Sequence, residues 1–377
     1  MYDFIQNASL KNTDFDHILS LINGMRESDI LKYEGASELA RFLNLQLDLE
    51  HYWGTGRPPQ RLITEYDDLL KSYRKGYFSR ISDLSLKGPW GRWGYLARHF
   101  TFEDFDVAMT NYSKKRVCIE GSWRRPEAPY VFFLTLTSNY AVKLADLVLE
   151  NATSTFGREN CSFLFATTFG DLPNLRNVLD PFKSTYDIQV FGVQLPESAL
   201  WHPESITAKM CLRYFLLREY AEMSINEKTS QICTVVDADV GFTSKDFPTS
   251  NFDLLPSGNP PTTRWVLPGN RIAGGFFRLK LNEGSLAYIR AHTACLQFAA
   301  HTYASRENQL FEFDQGAHEA VLRCSSDSWD LRYATYGDRT WKGFNGTLDQ
   351  RRALFLQYLQ KEPKQSETLQ VSTGEHR

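Results

Sequence analysis

From Tyr130 onward, short apolar runs typical of buried strands alternate with longer runs that have helical spacing. These strand-like and helical runs are 131–136, 141–149, 161–167, 187–193, 206–223 and 231–236. Continuous apolar strands separated by helices favour an α/β fold, in which a mostly parallel sheet carries helices on both faces. Ligands of such sheets bind at the carboxyl ends of the strands. The residues at those ends are therefore the first candidates for a functional site.

The first third of the chain has a different pattern. Apolar residues recur with helical spacing over 18–25, 36–47 and 62–73, which predicts a mostly helical region. Pro126 and Pro129 mark a junction, because proline is excluded from helix interiors and central strands. We therefore expect a mostly helical N-terminal domain at 1–125, an α/β domain at 126–360 and a polar, disordered tail at 361–377.

The segment that follows the 231–236 run has a different composition. Residues 247–265 are rich in Pro, Ser, Asn and Thr, and we expect them to form a loop over the site. Beyond it, 272–281 is an apolar run interrupted by two glycines. Helical patterns complete the predicted domain at 286–303, 317–322 and 351–359.

The charge balance argues against nucleic acid and anionic membranes as partners, and the cysteine usage indicates the cellular compartment. The 42 Lys and Arg residues nearly balance the 45 Asp and Glu residues, so the net charge of −3 provides no general attraction for nucleic acid or anionic membrane. The 6 cysteines are scattered singly, as buried free thiols in a reducing compartment would be. The chain has no signal-peptide pattern and no apolar run of about 18 residues. We therefore expect a cytoplasmic protein without a membrane span.

Asp-X-Asp occurs three times, and only one occurrence follows a buried-strand pattern. Asp237 and Asp239 come directly after the 231–236 run, with the small Ala238 between them. The other two triplets, 14–16 and 104–106, are explained as solvated or helix-capping carboxylates. Two acids at a strand end can face one cation, and Mn²⁺ or Mg²⁺ takes carboxylates together with phosphates and water. We expect Asp239 to be the main direct ligand and Asp237 to reach the ribose, or the metal through water.

This stretch resembles the Asp-X-Asp motif of nucleotide-sugar glycosyltransferases with the GT-A fold. Residues 134–140 look like the first strand and nucleotide loop of that family, which implies that Thr137, Asn139 and Tyr140 contact the nucleotide and that Tyr140 stacks on the base. Residues 209–214 are similar to the basic helix of the retaining, glycogenin-like and plant cell-wall families. That resemblance implies that Lys209 and Arg213 face the donor sugar or its phosphates.

Two later segments follow the order of the same families. Residues 273–277 resemble a strand in which Gly274 and Gly275 let the backbone approach the sugar and acceptor. Residues 313–315 resemble the step that begins a helix opposite the donor. The resemblance implies that Asp314 orients a sugar hydroxyl or serves as a base and that Gln315 lies near the anomeric carbon. The order of these two residues favours retention of configuration by resemblance only, and the sequence itself does not determine whether configuration is retained or inverted.

The C-terminal part of the domain departs from the family pattern. These families often supply a histidine there as a third metal ligand, and no histidine lies between His318 and His376. Residues 341–346 occupy the expected region, where Lys342 would offset phosphate charge instead. Fewer protein ligands would then hold the cation.

Together these features predict a metal-dependent glycosyltransferase of glycan biosynthesis. It would use a nucleotide-diphosphate sugar, with a UDP-sugar favoured, and a glycan or protein acceptor; Mn²⁺ or Mg²⁺ would stabilise the departing diphosphate. Two other classes stay open: a phosphohydrolase that resembles the haloacid dehalogenases and uses Asp237 and Asp239, and a catalytically silent sugar-nucleotide-binding module. The donor sugar, the acceptor and the oligomeric state are not determined by the sequence.

Overall fold

The computed structural model describes most of the chain from residue 57 to residue 360. The described residues are 45, 48, 49, 52, 57–81, 100–195, 206–225, 231–242, 253–258, 272–302, 313–324, 341–344 and 346–360. The helical patterns at 18–25 and 36–47 lie almost wholly outside them, as does the tail at 361–377. The described part is a mixed α/β structure.

We number the helices and strands of the described residues in chain order. The α-helices are α1 (Gln60–Ile81), α2 (Phe102–Tyr112), α3 (Ser138–Phe156), α4 (Leu172–Leu179), α5 (Ile206–Ser224), α6 (Glu283–Thr302), α7 (Phe313–Arg323) and α8 (Leu348–Leu359). The strands are β1 (Cys118–Glu120), β2 (Tyr130–Thr135), β3 (Cys161–Thr167), β4 (Asp187–Gln194), β5 (Ile232–Val236), β6 (Val240–Phe242), β7 (Leu254–Gly258), β8 (Ile272–Lys280) and β9 (Trp341–Gly343). Short 3₁₀ helices occupy Arg158–Asn160 and Asp180–Ser184.

The main sheet has four parallel strands at its centre. Its strand order is β1-β4-β3-β2-β5-β8-β7, in which β4, β3, β2 and β5 run parallel and β1, β8 and β7 pair antiparallel with their neighbours. All seven residues of β3 are buried, as expected of a central strand covered on both faces. The α/β pattern predicted from the sequence is therefore confirmed for the described residues. A second, two-stranded sheet pairs β6 with β9.

Helices cover both faces of the main sheet. On one face, sheet residues such as Phe133 and Phe277 belong to the same hydrophobic cluster as apolar residues of α1, α2, α5, α6 and α7. On the other face, Phe132 and Phe276 share a second cluster with α3, α4 and α8. Because neighbouring residues of a strand point to opposite faces, β2, β3, β4, β5 and β8 each contribute to both clusters.

The two described helices of the N-terminal third pack onto the first of these faces. Asp67 of α1 accepts hydrogen bonds from the backbone N–H groups of Phe102, at 2.8 Å, and Glu103, at 3.2 Å, which are the first residues of α2. Thr101 and Asp104 form a capping box at the same end. Asp104 therefore has the helix-capping role predicted for it, and α2 continues along α6.

Four short strands, β1, β6, β7 and β9, lie where the sequence pattern predicts no strand, and two of them contradict a stated expectation. β1 falls within the region expected to be helical, and it pairs antiparallel with the last residues of β4. β7 falls within the expected loop 247–265, so that prediction is wrong over residues 254–258; the loop on either side of it lies mostly outside the described residues. β7 contains Pro256, which a sheet accepts there because β7 is an edge strand with a register shift at that residue.

The cysteines are free thiols, and most of them are buried. No disulfide links the six cysteines; five of them are buried, and Cys118 on β1 is exposed. Of the helices in the described residues, none combines the length and the apolar character needed to cross a membrane.

Candidate active site

The acidic turn 237–239 lies at the carboxyl end of β5. Val240 donates a backbone hydrogen bond of 3.2 Å to the carbonyl of Asp237, so the chain turns tightly between β5 and β6. Ala238 is buried within this turn, whereas Asp237 and Asp239 keep part of their side chains accessible. Phe344 donates to the carbonyl of Asp239 at 2.9 Å, which ties the turn to the end of β9. Both carboxylates are thus held at the edge where parallel sheets bind ligands.

Arg213 of α5 joins this turn to the start of α7. Its guanidinium donates to Asp237 and, at 3.1 Å from Nη2 to Oδ2, to Asp314. Arg213 and Asp314 are each only 1% exposed. Burial lowers the pKa of Arg213, but the charges of Asp237, Tyr214 and Asp314 outweigh it, and the net direction is upward. The buried guanidinium therefore stays charged and holds two carboxylates from different elements.

The end of β2 takes part in the same arrangement. The backbone N–H of Arg213 donates to Thr135 Oγ1 at 3.1 Å, which attaches α5 to the last residue of β2. Lys209 lies one turn earlier on α5 and is half-buried. Because β2 is the neighbour of β5, the predicted nucleotide loop and the acidic turn lie at adjacent strand ends.

Asp239 faces a different arginine, which comes from α8. Arg351 Nη1 donates to Asp239 Oδ2, and Arg351 Nε donates to the carbonyl of Gly346 at 2.9 Å. Burial, followed by the negative charge of Asp237, raises the pKa of Asp239 to about 6, although Arg351 and Arg213 act in the opposite direction. Burial and the neighbouring Asp237 therefore outweigh the two arginines at Asp239.

The predicted nucleotide loop is anchored by Asp171, which follows β3. Ser138 donates its backbone N–H and its hydroxyl to the two carboxylate oxygens of Asp171, at 2.7 and 2.6 Å. Thr137 is the N-cap residue of α3, and Asn139 and Tyr140 are exposed in its first turn. Tyr140 is 39% exposed, so its ring is accessible for stacking on a planar ligand.

The remaining predicted residues lie around the acidic turn. Val236 of β5 pairs with Phe276 of β8, and the two strands are antiparallel. Beyond this pair, β5 leads to Asp237, while β8 leads back along the chain to Gly275 and then Gly274. Lys342 of β9 pairs with Gly241 of β6. Gln315 follows Asp314 in α7, and its side chain, like that of Lys342, lies outside the described residues.

A buried pair of histidines lies behind Asp314. His292 Nε2 is 3.1 Å from the backbone carbonyl of Asp314, and the rings of His292 and His318 stack with centroids 4.0 Å apart. The two ring nitrogens of His318 lie 2.6 Å from the Tyr288 hydroxyl and 3.2 Å from the Tyr214 hydroxyl. Burial lowers the pKa of both histidines, that of His292 to about 3. Both rings are therefore neutral and support the start of α7 from within the core.

The acidic turn has a donor set that suits a hard cation shared with a phosphate. In the described part of the chain, no three His, Cys, Asp or Glu side chains are grouped as metal ligands. Mg²⁺ and Mn²⁺ commonly use only one or two carboxylates and complete their shells with water and substrate phosphates. Asp237 and Asp239 supply two such carboxylates, and their mutual repulsion is what a bound cation would relieve. The residues therefore fit a cation that arrives with a diphosphate.

Sequence reasoning missed three contributors to this site: Asp171, His292 and Arg351. Asp171 carried a usable signal, because it follows a buried strand as Asp237 does. Arg351 carried none, since it is separated from Asp239 by 112 positions. Of the predicted residues, direct contacts bring together Arg213, Asp237 and Asp314, while Asp239 belongs to the same turn as Asp237.

Comparison with known proteins finds only weak likeness to solved structures. No family model matches the chain, and neither does any curated protein. Among solved structures, the chain is similar to the bifunctional glycosyltransferase WbbM in its apo form, with a TM-score of 0.33 and 10% identity over 57% of this chain and 39% of that one. It is also similar to the glycosyltransferase GlyE of Streptococcus pneumoniae TIGR4, with a TM-score of 0.33 and 11% identity over 55% of this chain and 45% of that one. The chain thus spans less than half the length of either structure.

Proposed function

We propose that this chain is a nucleotide-sugar-dependent glycosyltransferase of the GT-A type that transfers a sugar to a glycan or protein acceptor. The observation that carries the proposal is the contact of Arg213 with both Asp237 and Asp314, since it joins the acidic turn at the end of β5 to the start of α7. Sugar transfer needs a diphosphate site and a sugar site next to each other. Arg213, which is buried, would fix the relative positions of the two.

Asp237 and Asp239 are the residues that would hold a divalent cation, Mn²⁺ or Mg²⁺. When bound, such a cation supplies positive charge to the departing diphosphate as the bond between the sugar and the diphosphate breaks. Asp239 offers its carboxylate from the side of β6 and Asp237 from the end of β5, where Arg213 orients it. The backbone turn positions both acids, and Arg213 orients Asp237, before the donor binds.

The loop at 137–140 would bind the nucleotide, for which a UDP-sugar is the favoured donor. Tyr140 offers an exposed aromatic face to the base, and Asn139 offers a polar side chain in the same turn. Both carboxylate oxygens of Asp171 accept from Ser138, so Asp171 would hold the loop in place for the nucleotide. Lys209 and Lys342 would offset phosphate charge from α5 and β9.

Asp314 is assigned a positioning role. Its carboxylate is buried and accepts from Arg213, which makes it a poor acceptor for a proton from a sugar hydroxyl. Gln315, the next residue of α7, would lie near the anomeric carbon, while Gly274 and Gly275 would allow the acceptor to approach the backbone of β8. The resemblance of the Asp314-Gln315 step to the retaining families favours retention of configuration at the anomeric carbon.

Release of nucleotide diphosphate tests the proposal directly. The protein is incubated with a panel of nucleotide sugars, Mn²⁺ and candidate glycan or peptide acceptors. We expect turnover that chelation abolishes, and a loss of at least about 100-fold in Asp239→Asn, because the charge that holds the cation is gone. The second Asp-X-Asp triplet supplies the control: Asp106 is exposed and pairs with Arg57, so Asp106→Asn should keep full activity.

Other outcomes would favour the alternatives. Hydrolysis of a phosphomonoester that depends on Asp237, without turnover of any nucleotide sugar, would replace the transferase with a phosphohydrolase. Calorimetric binding of a nucleotide sugar without product from any acceptor would indicate a silent binding module.

A further inference from the structure

Arg351 lies beside Asp239, where the proposed divalent cation would bind. It is the fourth residue of α8, and its guanidinium makes contacts in two directions, to the Asp239 carboxylate and to the carbonyl of Gly346. Its side chain is 27% exposed, compared with 18% for that of Asp239. The pair therefore lies at the border of solvent, where an arginine can change partners.

The rest of α8 is held in place without Arg351. Arg352, the next residue, makes a two-bond ion pair with Asp146 of α3, at 2.8 and 2.7 Å. Phe355 is fully buried against Phe344, and the Tyr358 hydroxyl donates to the carbonyl of Phe242. Because these contacts anchor the helix to α3, β6 and the end of β9, the side chain of Arg351 is able to move while the helix stays fixed.

A guanidinium and a divalent cation compete for the same carboxylate. Each stabilises the negative charge of Asp239, and their own positive charges repel each other when both lie against it. Asp237 does not relieve this competition, since it is engaged by Arg213. Arginine also binds phosphate well, because its planar fork donates two parallel hydrogen bonds.

We propose that Arg351 is an internal counter-cation that holds Asp239 in the unliganded protein, releases it when a divalent cation binds, and then pairs with the diphosphate of the donor. This inference rests on the proposed function and adds a residue that it does not include. It explains how a site with two paired acids accepts a cation. It also gives the C-terminal helix a role in the region where a third protein ligand would be expected.

The test measures binding and activity separately. Binding of Mn²⁺ alone is followed by the electron paramagnetic resonance signal of the free ion, for wild type, Arg351→Gln and Arg352→Gln. We expect Arg351→Gln to bind Mn²⁺ about tenfold more tightly, because its competitor is gone. Arg352→Gln should bind as wild type does, since the contacts of Arg352 are to Asp146 and the carbonyl of Lys143, both on α3, rather than to Asp239.

The affinity for UDP should change in the opposite direction to the affinity for Mn²⁺. With saturating Mn²⁺, calorimetry with UDP should show about tenfold weaker binding to Arg351→Gln, because a phosphate contact is lost. Arg351→Lys keeps the positive charge and should restore the Mn²⁺ affinity toward the wild-type value. Far-UV circular dichroism and thermal unfolding establish that each variant is folded.

Each outcome decides the proposal. Unchanged or weaker Mn²⁺ binding by Arg351→Gln would overturn it, and so would the absence of Mn²⁺ binding by every variant. If both binding changes occur as expected while no nucleotide sugar is turned over, Arg351 has the proposed role and the transferase assignment fails. If turnover is observed and the binding of Arg351→Gln is unchanged, the transferase assignment stands and the role of Arg351 is rejected.

Discussion

Arg213 Nη2 lies 3.1 Å from Asp314 Oδ2, and both side chains are almost completely shielded from solvent. The pair links α5 to α7 across 101 sequence positions. Since Arg213 also holds Asp237, one buried cation connects the two ends of the candidate site. Taking such a cation out of water is costly, and its partners depend on it in turn.

Removal of this cation should destabilise the fold. Arg213→Met removes the buried positive charge that pairs with Asp314, and we expect the free energy of unfolding to fall by about 3–5 kcal/mol, as measured by urea denaturation. Lys209→Met, one turn away on the same helix, is the control and should cost less than about 1 kcal/mol. Equal stability of Arg213→Met and wild type would contradict this account.

The buried histidines should make stability depend on pH. His292 has an ordinary pKa of 6.5 that burial lowers to about 3 in the folded protein. Between pH 6.5 and pH 3, His292 is therefore protonated in the unfolded chain and neutral in the folded chain. The contribution of neutral His292 to stability is complete above pH 6.5 and is lost as the pH falls toward 3. In His292→Gln, the loss of unfolding free energy between pH 6.5 and pH 5 should be smaller by about 2 kcal/mol.

The measurement is urea denaturation of both proteins at a series of pH values. His318, whose pKa is also lowered by burial, remains in the variant and retains its own pH dependence. Identical pH dependence of wild type and His292→Gln would show that His292 is not one of the groups that titrate on unfolding.

Asp171 should matter for nucleotide binding through the loop that it holds. Asp171→Ala removes both acceptors of Ser138, so the start of α3 is less well fixed; we expect UDP to bind about tenfold more weakly and stability to fall by about 1–3 kcal/mol. Asp180→Ala removes an exposed acid that pairs with Lys183 and should change neither quantity. Calorimetry with UDP and urea denaturation provide the two readings, and wild-type affinity in Asp171→Ala would exclude a role for this anchor.

Asp67 should couple α1 to α2. Asp67→Ala leaves the N–H groups of Phe102 and Glu103 without their acceptor and should lower the free energy of unfolding by about 1–3 kcal/mol. The neighbouring Asp68 is exposed, so Asp68→Ala is the matched control and should stay within about 0.5 kcal/mol of wild type. Thermal and urea unfolding of the two variants, compared directly, check this prediction; equal losses would show that the capping contact contributes little.

The strands of the central sheet were the part of the fold most readily predicted. The predicted run 161–167 coincides with β3, and the predicted run 231–236 begins one residue before β5. These segments are buried on both faces, so their composition alone distinguishes them from the helices around them. β1 and β7 escaped prediction because short edge strands bury fewer residues, and Pro256 is tolerated at an edge for the same reason.

The sequence by itself determined where the acids of the site lie. A buried strand that ends in Asp237 and Asp239 places both carboxylates at a ligand-binding edge, and the capping role of Asp104 is equally local. Such features depend on a few consecutive residues, so a sequence pattern is sufficient to predict them.

Only the tertiary structure decided which cation each acid faces. Arg213 precedes Asp237 by 24 positions and Arg351 follows Asp239 by 112, and nothing in the residues between them specifies either pairing. The pairings follow from the way α5 packs on one face of the sheet and α8 on the other. Side chains that are distant in sequence meet because helix packing brings them together, and the charge of the site is set by those long-range contacts.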